Sequence, residues 1–322
     1  MNIDMIRAAA TRLRGHARET PLLSSPALDK VAGRRVFVKA ESLQHTGSFK
    51  YRGAKSAVTA LPDGTQGVIA FSSGNHAQGI ARASMEAGLP AVIIMPRDAP
   101  AAKIDATRSM GAEVVLYDRG GREAREELGA RLAAERGLTL IRPYDEPQVI
   151  AGQGTTGLEI ARQAAAEGIE RGEVLVCCGG GGLTSGVALA LEAEAPGFRV
   201  RPAEPEGYDD VARSLISGQR ERNAKEAGGL CDAILTPMPG ELTYPILKRL
   251  CGPGVVVSEA EAQAAMVAAF QHLNLVLEPG GAVGLAAALF RGDEIEGEAV
   301  VAVASGGNVD AGVFTRALEV AA

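Results

Sequence analysis

Residues 175–186 read LVCCGGGGLTSG, and the fold follows from how such a stretch behaves. The apolar run that ends at Cys178 is a strand of the kind that crosses a sheet covered on both faces. Gly179, Gly180, Gly181 and Gly182 then separate it from a helical pattern beginning near Leu183. Strand, turn and helix in that order form half of a β-α-β crossover. Lacking Cβ atoms, the four glycines can wrap an oxyanion, presenting several N–H donors beside the positive end of the helix. A run of glycines costs chain entropy, so a phosphate-type cradle is a stronger reading than a plain connector.

The same rhythm extends in both directions. RVFVKA, GVIAF, AVIIMP, AEVVLYD, LTLIRP, EVLVCC, FRVRPAE and EAVVAVAS each precede a glycine-rich turn or an alanine-rich helical pattern. This predicts an α/β protein with two doubly wound, mainly parallel sheets covered by helices. Four of these strands and three helices (Asn75 to Gly88, Ala101 to Met110, Arg122 to Arg136) crowd between about 67 and 142. We expect residues 67–142 to form a small inserted domain, and 1–66 with 143–322 the large one. Helices are also predicted near Gly240 to Leu250, Ser258 to Asn274 and Gly280 to Arg291.

Composition excludes several classes. A formal charge of −6 with no lysine-arginine block argues against nucleic acid as a partner. The amphipathic start, MNIDMIRAAATRLRGHARETP, lacks the apolar core of a secretion signal, and no run of roughly 20 apolar residues is present to span a membrane. Cys177, Cys178, Cys231 and Cys251 have neither paired metal spacing nor the density of a disulfide scaffold, which fits a reducing cytoplasm and buried thiols acting as small hydrophobes.

Three further segments carry candidate chemistry. In VKAESLQHTGSFKYRGA, from Val38, Lys50 opens a helix after a Thr-Gly-Ser turn. Desolvated in a cleft, its amine is a nucleophile toward a carbonyl; on a surface it is an ordinary helix-start lysine. In AFSSGNHAQGIA, Ser72, Ser73, Gly74 and Asn75 form a polar turn between strand and helix, suited either to an anionic ligand or to plain capping. In VASGGNVD, Ser305 ends the last strand, facing a ligand or capping. No GxxxxGK[ST] is present. GQGTTG at Gly152 to Gly157 matches a dinucleotide fingerprint, but it follows a poor strand and lacks the later acidic residue, so we read it as a decoy.

Taken together, TGSFKYRGA, SSGNHAQG, VIAGQGT, the glycine run and SGGNVD resemble the fold-type II pyridoxal-phosphate enzymes, most closely the serine/threonine dehydratase and serine racemase family. The likeness covers nearly the whole chain. It implies that Lys50 carries pyridoxal 5′-phosphate covalently and exchanges the substrate's α-proton, with Phe49 packing against the ring. It implies that Asn75 bonds the ring hydroxyl, that Gly179 to Gly182 and Leu183 hold the phosphate, and that Ser305 lies beside the pyridine nitrogen. A neutral hydroxyl there makes the ring a weaker electron sink, which favours loss of a β-hydroxyl over transamination.

The resemblance further implies a dehydratase (ammonia-lyase) of serine, threonine or 3-hydroxyaspartate, with an amino-acid racemase as the alternative. Ser73 matches a serine facing the substrate opposite the lysine. It serves either as a second acid-base group for racemisation or, with Ser72, Asn75 and His76, as a carboxylate binder. AEPEGYDD resembles the family's divalent-metal loop, implying Glu204, the Tyr208 carbonyl and Asp210 as oxygen ligands for Mg²⁺ or Ca²⁺, although an acidic solvated loop reads alike. LCDAILTPMPGELTYP departs from the racemase pattern around Ala233 and Thr236, on the expected substrate side. Arg125 falls where some relatives carry an arginine for a second carboxylate, such as that of 3-hydroxyaspartate, or it belongs to a charged helix face; Arg142 is a further candidate. The family also implies a homodimer, and the chain leaves no room for an appended regulatory domain.

Overall fold

The computed structural model describes residues 1–320 apart from 73, 100, 119–124 and 226, and excludes the side chains of 102, 125 and 126. Among the described residues the strands are β1 (Leu22–Ser24), β2 (Arg35–Ala40), β3 (Val68–Phe71), β4 (Ala91–Pro96), β5 (Glu113–Tyr117), β6 (Thr139–Leu140), β7 (Gly172–Cys177), β8 (Phe198–Pro205), β9 (Val255–Val257) and β10 (Ala299–Ala304). The helices are α1 (Ile3–Leu13), α2 (Pro26–Ala32), α3 (Lys50–Thr59), α4 (Asn75–Ala87), α5 (Ala101–Ser109), α6 (Arg125–Arg136), α7 (Pro147–Ala166), α8 (Gly182–Glu194), α9 (Asp210–Ser217), α10 (Thr243–Leu250), α11 (Glu259–Leu273), α12 (Pro279–Phe290) and α13 (Ala311–Val320).

Two sheets result, as the alternation of strand and helix predicts. One has six strands in the order β1-β2-β10-β7-β8-β9, and the other has four in the order β5-β4-β3-β6. Every pairing is parallel except β1 with β2. The period-2 alternation of side chains divides the larger core in two. From β10, Val300, Ala302 and Ala304 face a layer with α11 and α12, whereas Ala299, Val301 and Val303 face a layer with α7 and α8. Helix α12 is buried on all sides, so its sequence is apolar without an amphipathic stripe. In the small sheet, Val68, Ala70, Ile93 and Met95 meet α3 and α4, while Ile69, Val92 and Ile94 meet Leu128 and Leu132 of α6.

Helix α3 therefore packs on the small sheet while being pinned to the large one. The pin is a buried charge cluster: Arg52 donates to Glu41 at 2.8 Å and to Glu159 at 2.6 Å, and Lys39 meets Glu159 at 2.6 Å. Burial alone would raise the Glu41 carboxyl, but Arg52 and Lys39 hold it below its ordinary value.

The sequence reading omitted α7, because glycines at 152, 154 and 157 weaken a helical pattern. The structure gives them a packing role. A Cβ at Gly154 would lie 2.9 Å from the Gly186 carbonyl, and one at Gly157 would lie 3.0 Å from the Val187 backbone, so α7 and α8 touch through their main chains. GQGTTG is helix interior with no strand before it, which removes the dinucleotide-loop reading. The short strands β1 and β9 were also unforeseen, being three residues each.

Candidate active site

A cleft of about 1080 Å³ opens between the two sheets. Its wall includes Lys50 at the start of α3, Ser72, Gly74, Asn75 and His76 at the turn from β3 into α4, Arg142 to Asp145, much of the loop 232–242, and Glu278 before α12. The Ser72 turn and Arg142 to Asp145 lie just beyond the carboxyl ends of β3 and β6, where α/β sheets leave a crevice.

Lys50 Nζ donates to the Pro143 carbonyl at 2.8 Å and lies 5.2 Å from the Phe49 ring centroid. Burial pushes its pKa down to about 8, against the pull of Glu278, which favours the charged form. The wall therefore holds an amine whose neutral fraction near physiological pH is far larger than that of a solvated lysine, though the charged form still predominates. The Phe49 N–H donates to the Ser305 carbonyl at 3.1 Å, and Phe49 packs against the large-sheet core. Ser305 is buried at the end of β10, beside the Cys177 thiol.

At the polar turn, Ser72 Oγ accepts from the Gly74 N–H at 3.1 Å. Asn75 opens α4, and His76 Nε2 lies 3.1 Å from the Ile141 carbonyl. A carbonyl only accepts, so Nε2 carries the hydrogen and Nδ1 is a bare acceptor, buried without a partner among the described residues. Burial first, and then Lys50, push the His76 pKa down to about 3. The ring is neutral and has no second N–H for a carboxylate. Ser73 lies outside the described residues.

The glycine run joins β7 to α8, with Gly181 in the left-handed region at φ 89°. A Cβ at Gly180 would collide with the Tyr144 ring, so Tyr144 lies directly on the loop. The Gly180 carbonyl accepts from Thr243 Oγ1 at 2.6 Å and from the Gly240 N–H at 3.2 Å. Among the described residues the N–H groups of Gly179, Gly180 and Gly181 have no protein acceptor. The Leu183 side chain points into the core, which leaves only its backbone for a ligand. Thr236 lines the cleft, and its hydroxyl oxygen is buried without a partner among the described residues.

Arg125 begins α6, and its side chain lies outside the description. Arg142 lines the cleft and makes no hydrogen bond or ion pair among the described residues; its charge acts on Glu146.

Away from the cleft, Glu204 accepts from the Val211 and Ala212 N–H groups at 3.0 and 2.7 Å. Asp210 Oδ1 accepts from Asn223 at 2.6 Å, while its Oδ2 is buried without a partner among the described residues. Burial pushes Asp210 up to about 7, and burial together with Asp210 raises Glu204 well above its ordinary value. The Tyr208 hydroxyl donates to the Ala227 carbonyl at 2.6 Å. No group of three or more His, Cys, Asp or Glu side chains gathers for a metal among the described residues.

Sequence reasoning missed Glu278, Asn308 and Tyr144. Glu278 accepts from Asn75 Nδ2 at 2.6 Å, and burial pushes its carboxyl up to about 7. One charged residue in the apolar stretch LNLVLEPGGAVGLAAAL was the available signal.

A family model described as "Pyridoxal-phosphate dependent enzyme" matches residues 13–306. The chain is 43% identical over 309 residues to an L-threo-3-hydroxyaspartate ammonia-lyase of Pseudomonas sp., covering 95% of each. It is 37% identical over 326 residues to a serine racemase of Oryza sativa subsp. indica, covering 98% of this chain and 94% of the relative. The solved structure of a T.th. threonine deaminase superposes with a TM-score of 0.91 at 42% identity, covering 96% of this chain and 99% of that one. A buried lysine of lowered pKa on the wall of an inter-sheet cleft, with a glycine loop nearby, thus occurs in a chain that belongs to the fold-type II pyridoxal-phosphate-dependent enzymes.

Proposed function

We propose that this chain is a pyridoxal-phosphate-dependent ammonia-lyase that converts a small β-hydroxy-amino acid into a 2-oxo acid and ammonia. The observation that carries the reading is the desolvated Lys50 amine, held by the Pro143 carbonyl on the cleft wall. The residues present fit the cofactor. Gly179 to Gly182 and the Leu183 backbone would hold the phosphate, Lys50 the aldehyde carbon, Asn75 the ring hydroxyl and Ser305 the pyridine nitrogen. The unpaired N–H groups of the glycine loop are suited to an anion. When bound, the cofactor supplies the sink for the electron pair left as an α-proton departs.

Lys50 Nζ is the base for that proton, because its lowered pKa leaves a free electron pair available near neutrality. The orphan hydroxyl of Thr236 and the Ser72 turn face the same space and orient the substrate. One water leaves with the β-hydroxyl and one returns in releasing ammonia, so the net products are the 2-oxo acid and ammonia.

Relatives named for L-threo-3-hydroxyaspartate and for threonine support those two substrates, with serine as a third. We assign the second carboxylate of hydroxyaspartate to Arg142, the cleft arginine without an ion pair among the described residues, in preference to Arg125. Assayed on L-serine, L-threonine and the 3-hydroxyaspartate stereoisomers, the protein should release 2-oxo acid and Lys50→Ala should release none. Persistent D-amino acid with little 2-oxo acid would instead establish a racemase.

We also infer a Mg²⁺ or Ca²⁺ at Glu204, Asp210 and the Tyr208 carbonyl. The orphaned Asp210 oxygen, unpartnered among the described residues, and a second buried carboxyl at Glu204 suit a cation. We read 67–142 as a small inserted domain, supported by its separate sheet, with 1–66 and 143–322 as the large one. Exposed Phe270, Val276 and Phe290 suit a homodimer. Four free cysteines suit the cytoplasm, and among the described residues no helix is long and apolar enough to cross a membrane.

A further inference from the structure

The Asn75 amide is gripped at both ends. Its Nδ2 donates to Glu278 Oε1 at 2.6 Å, and its Oδ1 accepts from Asn308 Nδ2 at 2.8 Å. Asn308 is itself held, donating to the Thr46 carbonyl at 2.7 Å, and the Glu278 N–H donates to the Gly306 carbonyl at 3.1 Å. An amide has two N–H donors and two acceptor lone pairs. Turning it over would set Oδ1 against a carboxylate and Nδ2 against the Asn308 amide nitrogen, opposing acceptor to acceptor and donor to donor. The orientation is therefore set by its neighbours. Glu278 lines the cleft and Asn308 does not, so the nitrogen end is the one toward the cleft. Space for the grip depends on Gly306, where a Cβ would collide with the Glu278 carboxylate.

We propose that Glu278 and Asn308 are positioning residues that lock the Asn75 amide with its remaining N–H available to an anionic oxygen in the cleft. This rests on the reading of the cleft as a pyridoxal-phosphate site, in which that oxygen is the ring's phenolate. Glu278 makes no hydrogen bond to the reacting amine, on which it exerts only a distant charge, and its direct contact is with Asn75. A bare carboxylate would repel an anion, whereas one bonded by the Asn75 amide leaves that amide's remaining N–H as the donor.

The test is a double-mutant cycle on protein loaded with pyridoxal phosphate, reading the cofactor dissociation constant and the ratio of the two visible absorbance bands, which reports whether the phenolic oxygen carries a proton. Glu278→Ala should weaken cofactor binding about tenfold, as expected for one charge-assisted hydrogen bond, and shift the ratio toward the protonated band. Glu278→Gln keeps a carbonyl oxygen toward Asn75 and should rescue both. Asn308→Ala should move both readouts in the same direction as Glu278→Ala. Combined with Asn75→Ala, the Glu278→Ala change should add nothing further. A Glu278→Ala effect that persists undiminished in the Asn75→Ala background overturns the proposal, as does a wild-type spectrum and affinity in Asn308→Ala. Should Glu278→Ala not fold, Glu278→Gln and Asn308→Ala still decide. A wild-type protein that takes up no cofactor would instead sink the cofactor reading itself.

Discussion

The chemistry at Lys50 comes from its surroundings, since a lysine in water holds its proton to above pH 10. Burial in the cleft wall brings that down to about 8, so cofactor uptake by the apoprotein should accelerate as pH rises from 6 to 9, with its midpoint near 8. Stopped-flow absorbance measures this directly, and a midpoint near 10 would show the amine to be solvated. Arg52, two residues further along α3, tests a different balance. Removing it leaves Glu41 buried without its partner, so Arg52→Ala should destabilise the fold by about 3–5 kcal/mol in urea titration. At Arg142, alanine should cut turnover of 3-hydroxyaspartate by tenfold or more, on the order of one charged hydrogen bond, and spare threonine. Equal losses on both substrates would remove its role in selection.

Among the elements, the N-termini of α12 and α9 each carry a buried carboxylate. Glu278 before α12 has its folded pKa raised to about 7 from an ordinary carboxylate value. Below pH 4.5 both folded and unfolded chains keep the proton, and between 4.5 and 7 only the folded chain does. The apoprotein accordingly loses stability as pH rises through that window, by on the order of 3 kcal/mol. Glu278→Gln should raise the apoprotein's melting temperature at pH 8 and change little at pH 4.5, which scanning calorimetry will show. At α9, Glu204 caps the helix while Asp210 keeps an oxygen unpaired among the described residues. Millimolar Ca²⁺ or Mg²⁺ should raise the melting temperature, EDTA should reverse it, and Asp210→Asn should abolish the response. A wild-type melting curve indifferent to both would remove the cation.

For the whole molecule, the strand-helix order was legible because fully buried parallel strands are continuous apolar runs, and EVLVCC and EAVVAVAS are of that kind. Lys50, Asn75 and the glycine loop were legible because a helix start, a polar turn and a chain of glycines are local patterns. Helix α7 was not, since its glycines make sense only against the α8 backbone. Nor were Glu278 and Asn308, which stand 203 and 233 residues from the asparagine they hold. The local patterns of the candidate site, then, were determined by the sequence itself: which amine, which glycine loop, which polar turn. The tertiary structure alone decided which groups share a cleft, which nitrogen of His76 carries its hydrogen, and which cleft arginine lacks an ion pair among the described residues. Burial and partners across two sheets set those states, and a linear pattern holds no measure of desolvation.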